Sequence, residues 1–197
     1  MVQAIQKKTL SPIRSEIQRI INSIVPFDSK ENEHLNFTKH WLETGADLFR
    51  TTKPATPDPH LVAYFLLVDL NTNKVLLTDH KKSGLWLPTG GHVEINEHPK
   101  DTVKREIIEE LEIEAIFLSH DPLFLTVTKT VGQTAGHTDV SLWYILKGFS
   151  FDTLNYDKNE FHQINWFCQA EIPYQQSDPH MNRCIKKLIH FNILKDD

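Results

Sequence analysis

The hydrophobic pattern of the chain changes its period once, across a proline-rich stretch, and this change limits the folds that are possible. Before the stretch, isoleucines recur at helical spacing over residues 11–25, with Ser11 as a candidate N-cap and Pro12 in the first helical position. A second helix is predicted over residues 30–49, although Gly45 weakens it. The two helices form a predicted hairpin, and residues 51–59, which include three prolines, are predicted to be a linker.

After the linker the pattern becomes typical of strands. Strands are predicted over residues 61–70 and 74–79 around a turn, over residues 123–131 and 137–146 around a glycine-flanked loop, and near residues 164–167. Helices are predicted over residues 99–111 and 179–194. This order predicts an α+β fold with helices packed on a mixed or antiparallel sheet. We expect a helical extension at residues 1–55 and a catalytic domain at residues 56–197.

Composition excludes several classes of protein. The hydrophobic share of 40% and mean hydropathy of -0.37 are ordinary for a soluble protein, and neither a spanning segment nor a secretion signal is recognisable. Cys168 and Cys184 do not form a CxxC pair and have no histidines at zinc-ligand spacing, so the sequence indicates neither disulfides nor a structural zinc site. We therefore expect a reducing cytoplasm. The net charge of -5, without a basic cluster, argues against a nucleic-acid surface, and a phosphate substrate would need a bridging cation.

The predicted helix at residues 99–111 carries an unusual group of acids. Glu106 lies three and four residues before Glu109 and Glu110, so the three carboxylates project towards a common side. Like charges at this spacing cost a few tenths of a kcal/mol, roughly, for each exposed pair. A divalent cation would relieve this repulsion, and oxygen donors suit Mg²⁺ or Mn²⁺. The alternative is a solvated acidic helix face.

The residues around this helix resemble the Nudix box, written G-x5-E-x7-R-E-U-x-E-E-x-G-U with U an aliphatic residue. The matching residues are Gly91, Glu97, Arg105, Glu106, Ile107, Glu109, Glu110 and Ile113. One defined position differs, because Glu112 replaces a glycine that usually adopts the left-handed C-cap conformation. A side chain there costs about 1 kcal/mol but removes no ligand.

The resemblance implies a Nudix-type α/β/α sandwich with a mixed sheet, extended here by the helical hairpin. It implies that Glu106, Glu109 and Glu110 bind or organise a divalent metal with help from the Gly91 carbonyl, and that Arg105 and Glu97 orient the site. Gly90 is a structural residue of the motif. A further family carboxylate follows the box before a strand, and Glu160 is its candidate, with Asp157 as a competitor.

The implied activity is metal-dependent hydrolysis of a phosphoanhydride in a nucleoside diphosphate linked to another group, such as a nucleotide sugar, ADP-ribose or a dinucleotide. The general base is Glu106, Glu110 or Glu160. The nearest alternative substrate is a nucleoside triphosphate. A non-catalytic nucleotide-binding module is a second reading, although such modules usually lose the box glutamates. A prenyl diphosphate isomerase would need a catalytic cysteine in the cleft.

Candidate substrate contacts lie outside the box. The segment His137–Leu146 alternates, so that His137 and Asp139 share a face suited to a polar cleft, although such residues also satisfy local backbone groups. The others are lysines for a terminal phosphate, aromatic rings for stacking on a base, and a histidine beside the glycines: Lys81, Lys82, Trp86, Tyr64 and His92. Each of these also fits solvated surface or core. The hairpin packs on the catalytic domain, covers the cleft or forms a homodimer interface.

Overall fold

A computed structural model describes residues 11–53 and 56–196 of the chain. The first ten residues of the predicted extension, residues 54–55 of the predicted linker and the last residue of the predicted catalytic domain lie outside the described residues. In the described part, no helix combines the length and the apolar character that crossing a membrane requires.

The two predicted N-terminal helices are present as an antiparallel hairpin. Helix α1 (Pro12–Ser23) begins at the predicted N-cap Ser11, whose hydroxyl accepts from the Arg14 backbone at 3.3 Å. Helix α2 (Ser29–Glu43) is shorter than predicted, because Gly45 adopts φ 76°, a left-handed conformation that ends the helix. The prediction that it continues to residue 49 was therefore wrong. The Arg14 guanidinium donates to the Leu42 carbonyl at 3.0 Å and joins the two helices.

Within residues 11–53 and 56–196, seven strands form one mixed sheet. They are β1 (His60–Asp69), β2 (Lys74–His80), β3 (Leu85–Leu87), β4 (Thr89–His92), β5 (Phe124–Lys129), β6 (Thr138–Lys147) and β7 (Phe161–Phe167). The principal order is β3-β2-β1-β6-β5, while β4 also pairs with β1 and β7 with β2. Strands β1 and β6 run parallel and the other pairs are antiparallel. Both predicted hairpins are present, but β3 and β4 were not predicted.

Helices cover both faces of this sheet. Alternate residues of β1 point to opposite sides, so that Phe65 and Leu67 join a core with α1, α2 and α3 (Pro99–Leu111). Leu66 and Val68 join a second core with α4 (Met181–His190). The hairpin therefore shares a core with the sheet, and the predicted α+β sandwich with a mixed sheet is confirmed.

A buried ion pair ties the hairpin to the last helix. The Lys187 ammonium lies 2.7 Å and 2.9 Å from the two carboxylate oxygens of Glu31, and both side chains are almost completely buried. The same lysine donates to the Val25 carbonyl at 2.8 Å. Because an unpaired charge at this depth would be strongly destabilising, α2 and α4 are held in one arrangement.

Candidate active site

Helix α3 places two of the predicted glutamates along the margin of the core. It starts at Pro99, as predicted, and its apolar residues recur every fourth position and pack on the sheet; they are Val103, Ile107 and Leu111. Glu106 and Glu110 each precede one of these residues. Their carboxylates therefore lie beside the buried face of the helix, and Glu110 is only 4% exposed.

Glu112 ends α3 in the conformation that the family glycine would adopt. It has φ 55° and ψ 32°, and its backbone N–H donates to the Ile108 carbonyl at 3.1 Å. Its carboxylate accepts from the Asn155 side chain at 2.8 Å. The helix thus ends at the expected position although the residue has a side chain.

Gly90 and Gly91 of β4 bring the backbone against the helix. Gly90 has φ 141°, and a Cβ there would overlap the backbone of β1. At Gly91 a Cβ would overlap the Glu106 carboxylate. The Gly90 N–H donates to Glu110 Oε2 at 3.1 Å. Only glycines therefore allow this strand to lie so close to both carboxylates.

Arg105 is oriented by Glu97 and reaches the helix glutamates. Its Nε and one terminal nitrogen each lie 3.1 Å from a Glu97 oxygen, which is a bidentate pair. Its other terminal nitrogen lies 2.6 Å from Glu106 and 3.6 Å from Glu109. The hydrogen bonds that Arg105 donates to Glu97 and Glu106 raise its pKa. The guanidinium is therefore a fixed positive charge beside the carboxylates.

The buried carboxylates are not fully compensated by this arginine. Burial raises the pKa of Glu110 well above its usual range, and the neighbouring Glu106 and Glu160 add to the effect. Burial also raises the pKa of Glu106, against the opposing effect of Arg105. Glu160 differs, because His80 lies 3.3 Å from its carboxylate and lowers its pKa. More positive charge would stabilise the ionised forms of Glu106 and Glu110.

Glu109 and the two candidates for the distal carboxylate are placed differently. The Glu109 side chain is 59% exposed, at the outer side of the group. Glu160 lines the same cleft as Glu106 and Glu110. The Asp157 carboxylate instead accepts from the Asn159 backbone at 2.8 Å within a local turn. The placement favours Glu160 over Asp157.

The cleft at this site has a volume of about 1100 Å³, enough for a nucleotide-sized ligand. Neither helix of the hairpin contributes to its lining, although residues 50–53 just after the hairpin do. Of the predicted substrate contacts, Lys82, His92, His137, Asp139 and Tyr64 line it.

Lys81 and Trp86 lie away from the lining of the cleft. The Lys81 ammonium donates to the Lys158 carbonyl. The Trp86 ring packs edge-on against Phe167 at a centroid distance of 5.0 Å, next to the core under α4. The adjacent residues Lys82 and Leu85 face the cleft instead. The assignment of Lys81 and Trp86 as substrate contacts therefore stays a prediction, and their placement does not favour it.

The sequence interpretation missed three buried or half-buried residues at this site. His60, at the start of β1, lies opposite Asp139 in the parallel pairing with β6. Arg50 donates to the His92 ring at 3.0 Å. Asp178 lines the cleft, and burial raises its pKa to about 6. The sequence does place histidines at the ends of several predicted strands, which is a signal for a shared site. Their spacing in the sequence, however, does not show that they come together.

The glutamate group fits the divalent metal that Nudix hydrolases need. Its donors are all oxygens, which suits a hard cation. Gly91 has no side chain, and a side chain at this position would collide with the Glu106 carboxylate. Glu106, Glu109, Glu110 and Glu160 would hold such an ion. In the described part of the chain a second group of possible ligands exists, formed by His60, His92, His137 and Asp139.

Comparisons with known proteins agree with this site. A sequence model of the NUDIX domain matches residues 58–188, more than half of the chain. A search of curated proteins gives no significant match. A hydrolase of the NUDIX family from Clostridium perfringens has a similar structure, with a TM-score of 0.56 and 20% identity over 68% of this chain and 97% of that one.

Two further solved structures share the fold. The E. coli dihydroneopterin triphosphate pyrophosphohydrolase superposes with a TM-score of 0.53 and 13% identity, over 66% of this chain and 95% of that one. A C. elegans Ap4A hydrolase superposes with a TM-score of 0.51 and 17% identity, over 67% of this chain and 98% of that one. At these identities the likeness shows the fold alone.

The chain belongs to the Nudix family and is a Nudix hydrolase. The predicted family and enzyme class are confirmed, whereas the roles of the individual site residues and the division at residue 55 stay predictions.

Proposed function

We propose that this Nudix hydrolase cleaves a phosphoanhydride bond in a nucleoside diphosphate linked to another group, such as a nucleotide sugar, ADP-ribose or a dinucleotide. The observation that carries the proposal is the meeting of Glu106, Glu110 and Glu160 with the Gly90–Gly91 strand in one large cleft. Carboxylates so close together bind cations rather than a phosphate directly.

The proposed ion is Mg²⁺ or Mn²⁺, held by Glu106, Glu109, Glu110 and Glu160 with the Gly91 carbonyl. When bound, it neutralises diphosphate oxygens and makes water a better nucleophile. Arg105, fixed by Glu97, holds Glu106 in place through a 2.6 Å contact. Lys82 extends positive charge into the cleft for the anionic substrate.

A glutamate accepts the proton of the attacking water. Glu160 is one candidate, because the hydrogen bond with His80 lowers the pKa of its carboxyl and favours the ionised form that can accept a proton. Glu106 and Glu110 are the other candidates; burial raises the pKa of both carboxyls, and a bound cation would favour their ionised forms. His80 acts here as a positioning residue, 3.3 Å from the Glu160 carboxylate.

The competing functions make different demands on the cleft. A nucleoside triphosphate is the nearest alternative substrate, and the named relatives include a triphosphate pyrophosphohydrolase as well as an Ap4A hydrolase. A non-catalytic module has no need for the glutamates that this chain retains. An isomerase would need a reactive thiol, but Cys184 is on the buried face of α4 and burial raises the pKa of its thiol, and Cys168 does not line the cleft.

We also infer a cytoplasmic location, supported by two cysteines that are not joined in a disulfide, and retain a homodimer as a prediction. The hairpin shares its core with the sheet, so its packing does not require a second copy. Sizing of the purified protein, with multi-angle light scattering, separates monomer from dimer.

The function is tested by incubating the purified protein with Mg²⁺ or Mn²⁺ and a panel of nucleotide sugars, ADP-ribose, dinucleotides and nucleoside triphosphates. Chromatography identifies the bond that is cut. The expected result is metal-dependent release of a nucleoside monophosphate from a diphosphate derivative. Preferred cleavage of triphosphates would replace the proposed substrate class, and no turnover of any phosphoanhydride would support the binding module.

A further inference from the structure

A second group of metal ligands lies at one end of the sheet, apart from the glutamates of α3. It consists of His60, His92, His137 and Asp139, and one ligand atom from each lies within 4.8 Å of all the others. His60 is at the start of β1, His92 at the end of β4, Asp139 near the start of β6, and His137 directly before β6. Three neighbouring strands therefore bring together residues that are far apart in the sequence.

The strand register explains why these side chains share one face. His60 is opposite Asp139 in the parallel β1–β6 pair, and His92 is opposite Val62 in the antiparallel β1–β4 pair. Because side chains alternate along a strand, His60 and Val62 point to the same side, and so do His137 and Asp139. The four side chains thus converge by the regular geometry of the sheet.

The distances from the Asp139 carboxylate to the three imidazoles are close to those that a tetrahedral ion requires. The Asp139 Oδ1 atom lies 3.3 Å from His60 Nε2, 3.3 Å from His137 Nε2 and 3.9 Å from His92 Nε2. A tetrahedral zinc ion with bonds of about 2.0 to 2.1 Å holds neighbouring donors about 3.3 to 3.4 Å apart. Two of the three distances match this spacing, and the third needs only a small movement of His92.

Two of the donors are buried and lack hydrogen-bond partners. His60 is 0% exposed and Asp139 is 8% exposed, yet among the described residues neither His60 Nε2 nor Asp139 Oδ1 has a hydrogen-bond partner. Buried polar atoms are satisfied in most native structures, so this pair requires an explanation. An ion bound between them satisfies both atoms at once.

The outer atoms of the rings are held as in known metal sites. His60 Nδ1 lies 2.6 Å from the Pro57 carbonyl, which only accepts, so Nδ1 carries a proton and Nε2 presents its lone pair inward. His137 Nδ1 lies 3.3 Å from the Thr130 hydroxyl. Both rings are therefore oriented before any ion binds.

We propose that His60, His92, His137 and Asp139 form a binding site for a transition-metal dication of the zinc class, separate from the glutamate site. Imidazole nitrogens select such ions, whereas Mg²⁺ prefers oxygen donors. Four protein ligands make a closed, structural site that joins β4, β1 and β6 beside the Gly90–Gly91 strand. This proposal does not depend on the proposed substrate or on the roles of the glutamates.

Arg50 must move when the ion binds. Its guanidinium now donates to His92 Nε2 at 3.0 Å, so this nitrogen is unprotonated and its lone pair becomes available when Arg50 moves away. Arg50 is half-buried and also lies within the electrostatic reach of Glu106, so it has an alternative carboxylate on the cleft side. Displacement of Arg50 is therefore compatible with the surrounding charges.

The first test uses the full chain, stripped of metal and titrated with Co²⁺ as a spectroscopic substitute for Zn²⁺. One equivalent of Co²⁺ is expected to give the strong visible bands of a four-coordinate site, because an oxygen-rich six-coordinate site absorbs only weakly. Zn²⁺ should displace Co²⁺, while excess Mg²⁺ should not. Absence of strong bands, or displacement by Mg²⁺, overturns the proposal.

Matched variants locate the ion. His137→Gln and Asp139→Asn are expected to weaken Zn²⁺ binding by about 100-fold or more, since each removes a ligand. His162→Gln, at an exposed histidine of β7, and Glu109→Gln are the controls, and both should leave the visible bands of the four-coordinate Co²⁺ site unchanged. Equal binding by the ligand variants and the controls would contradict the site. Circular dichroism establishes that each variant is folded.

X-ray absorption of the zinc-loaded wild-type protein decides the question even if the ligand variants fail to fold. The expected spectrum shows the multiple scattering of imidazole rings, fitted by three histidines and one oxygen. A shell of oxygen ligands alone would assign the ion to the carboxylates and overturn the proposal.

Discussion

The glutamates of α3 and the histidine group at the end of the sheet border the same cleft, but they are built in opposite ways. The glutamates come from adjacent turns of one helix, whereas the histidines and Asp139 come from three strands that only the fold brings together. The glutamates offer oxygens, and Glu109 is well exposed, while His60 and His137 offer nitrogens and are buried.

Two sites with different donor atoms would allow one cleft to distinguish two kinds of ion. The exposed Glu109 carboxylate, at the open side of the glutamate group, would allow water ligands and exchange, which a reacting Mg²⁺ or Mn²⁺ site needs. Buried imidazoles with fixed rings exclude water and favour an ion that stays. A substitution that removes a ligand from one site should therefore leave ion binding at the other site unchanged.

The largest effect is expected from the box glutamates. Glu110→Gln and Glu109→Gln should each reduce turnover by roughly 10²- to 10⁴-fold, because each removes a charge from the group that holds the reacting ion. Initial rates with Mg²⁺ measure the loss, and cobalt titration should show the histidine site unchanged. Near-normal rates in both purified variants would remove these residues from the catalytic site.

A smaller effect is expected from Gly91→Ala. Gly91 does not have a positive φ, so the substitution acts through contact, and its Cβ would push the Glu106 carboxylate away. We expect turnover to fall about 100-fold, the cost of a displacement of about 1 Å in a catalytic group. Thermal unfolding, compared with that of the wild type, separates this from a loss of fold. Unchanged turnover in a folded variant would show that the position of the Glu106 carboxylate does not affect catalysis.

The smallest effect concerns a region away from both centres. Asp28 caps α2 and accepts from Arg183 of α4 at 2.7 Å and 2.6 Å, and the arginine lowers its pKa from 3.8 to about 2. The folded pKa lies below the unfolded one, so this stabilisation is complete above about pH 4 and is lost as the pH falls towards 2. It should contribute about 1 kcal/mol to the free energy of unfolding.

Urea unfolding at pH 6, 4 and 3 measures this contribution. Asp28→Asn should be less stable than the wild type at pH 6, and the difference should shrink at pH 3. Asp152→Asn, at an exposed acid, is the matched control and should follow the wild type at each pH. A constant difference between Asp28→Asn and the wild type across this range would contradict the linkage. Metal binding at neutral pH should not change.

The parts that the sequence predicted well are those whose residues are close together in it. The bounds of α3, the projection of Glu106 and Glu110 and the left-handed Glu112 all follow from local spacing, and the structure contains them. The alternation in β6 likewise placed His137 and Asp139 on one face. Local periodicity and capping determine these features.

The parts that were missed depend on contacts between distant residues. Strands β3 and β4 are short, and β4 contains two glycines, so only their pairing with β2 and β1 makes them strands. His60 was left outside the predicted first strand by one residue. The sequence also indicated no zinc site, because ligand spacing reveals sites built in one segment and not a site assembled by the β1–β6 register.

The most direct test of the glutamate centre is anomalous diffraction from crystals of the full chain soaked in Mn²⁺. We predict a manganese peak among the carboxylates of Glu106, Glu109 and Glu110 beside Gly91. A map without a peak there, or with manganese bound only between His60, His137 and Asp139, would contradict the assignment of the reacting ion to α3.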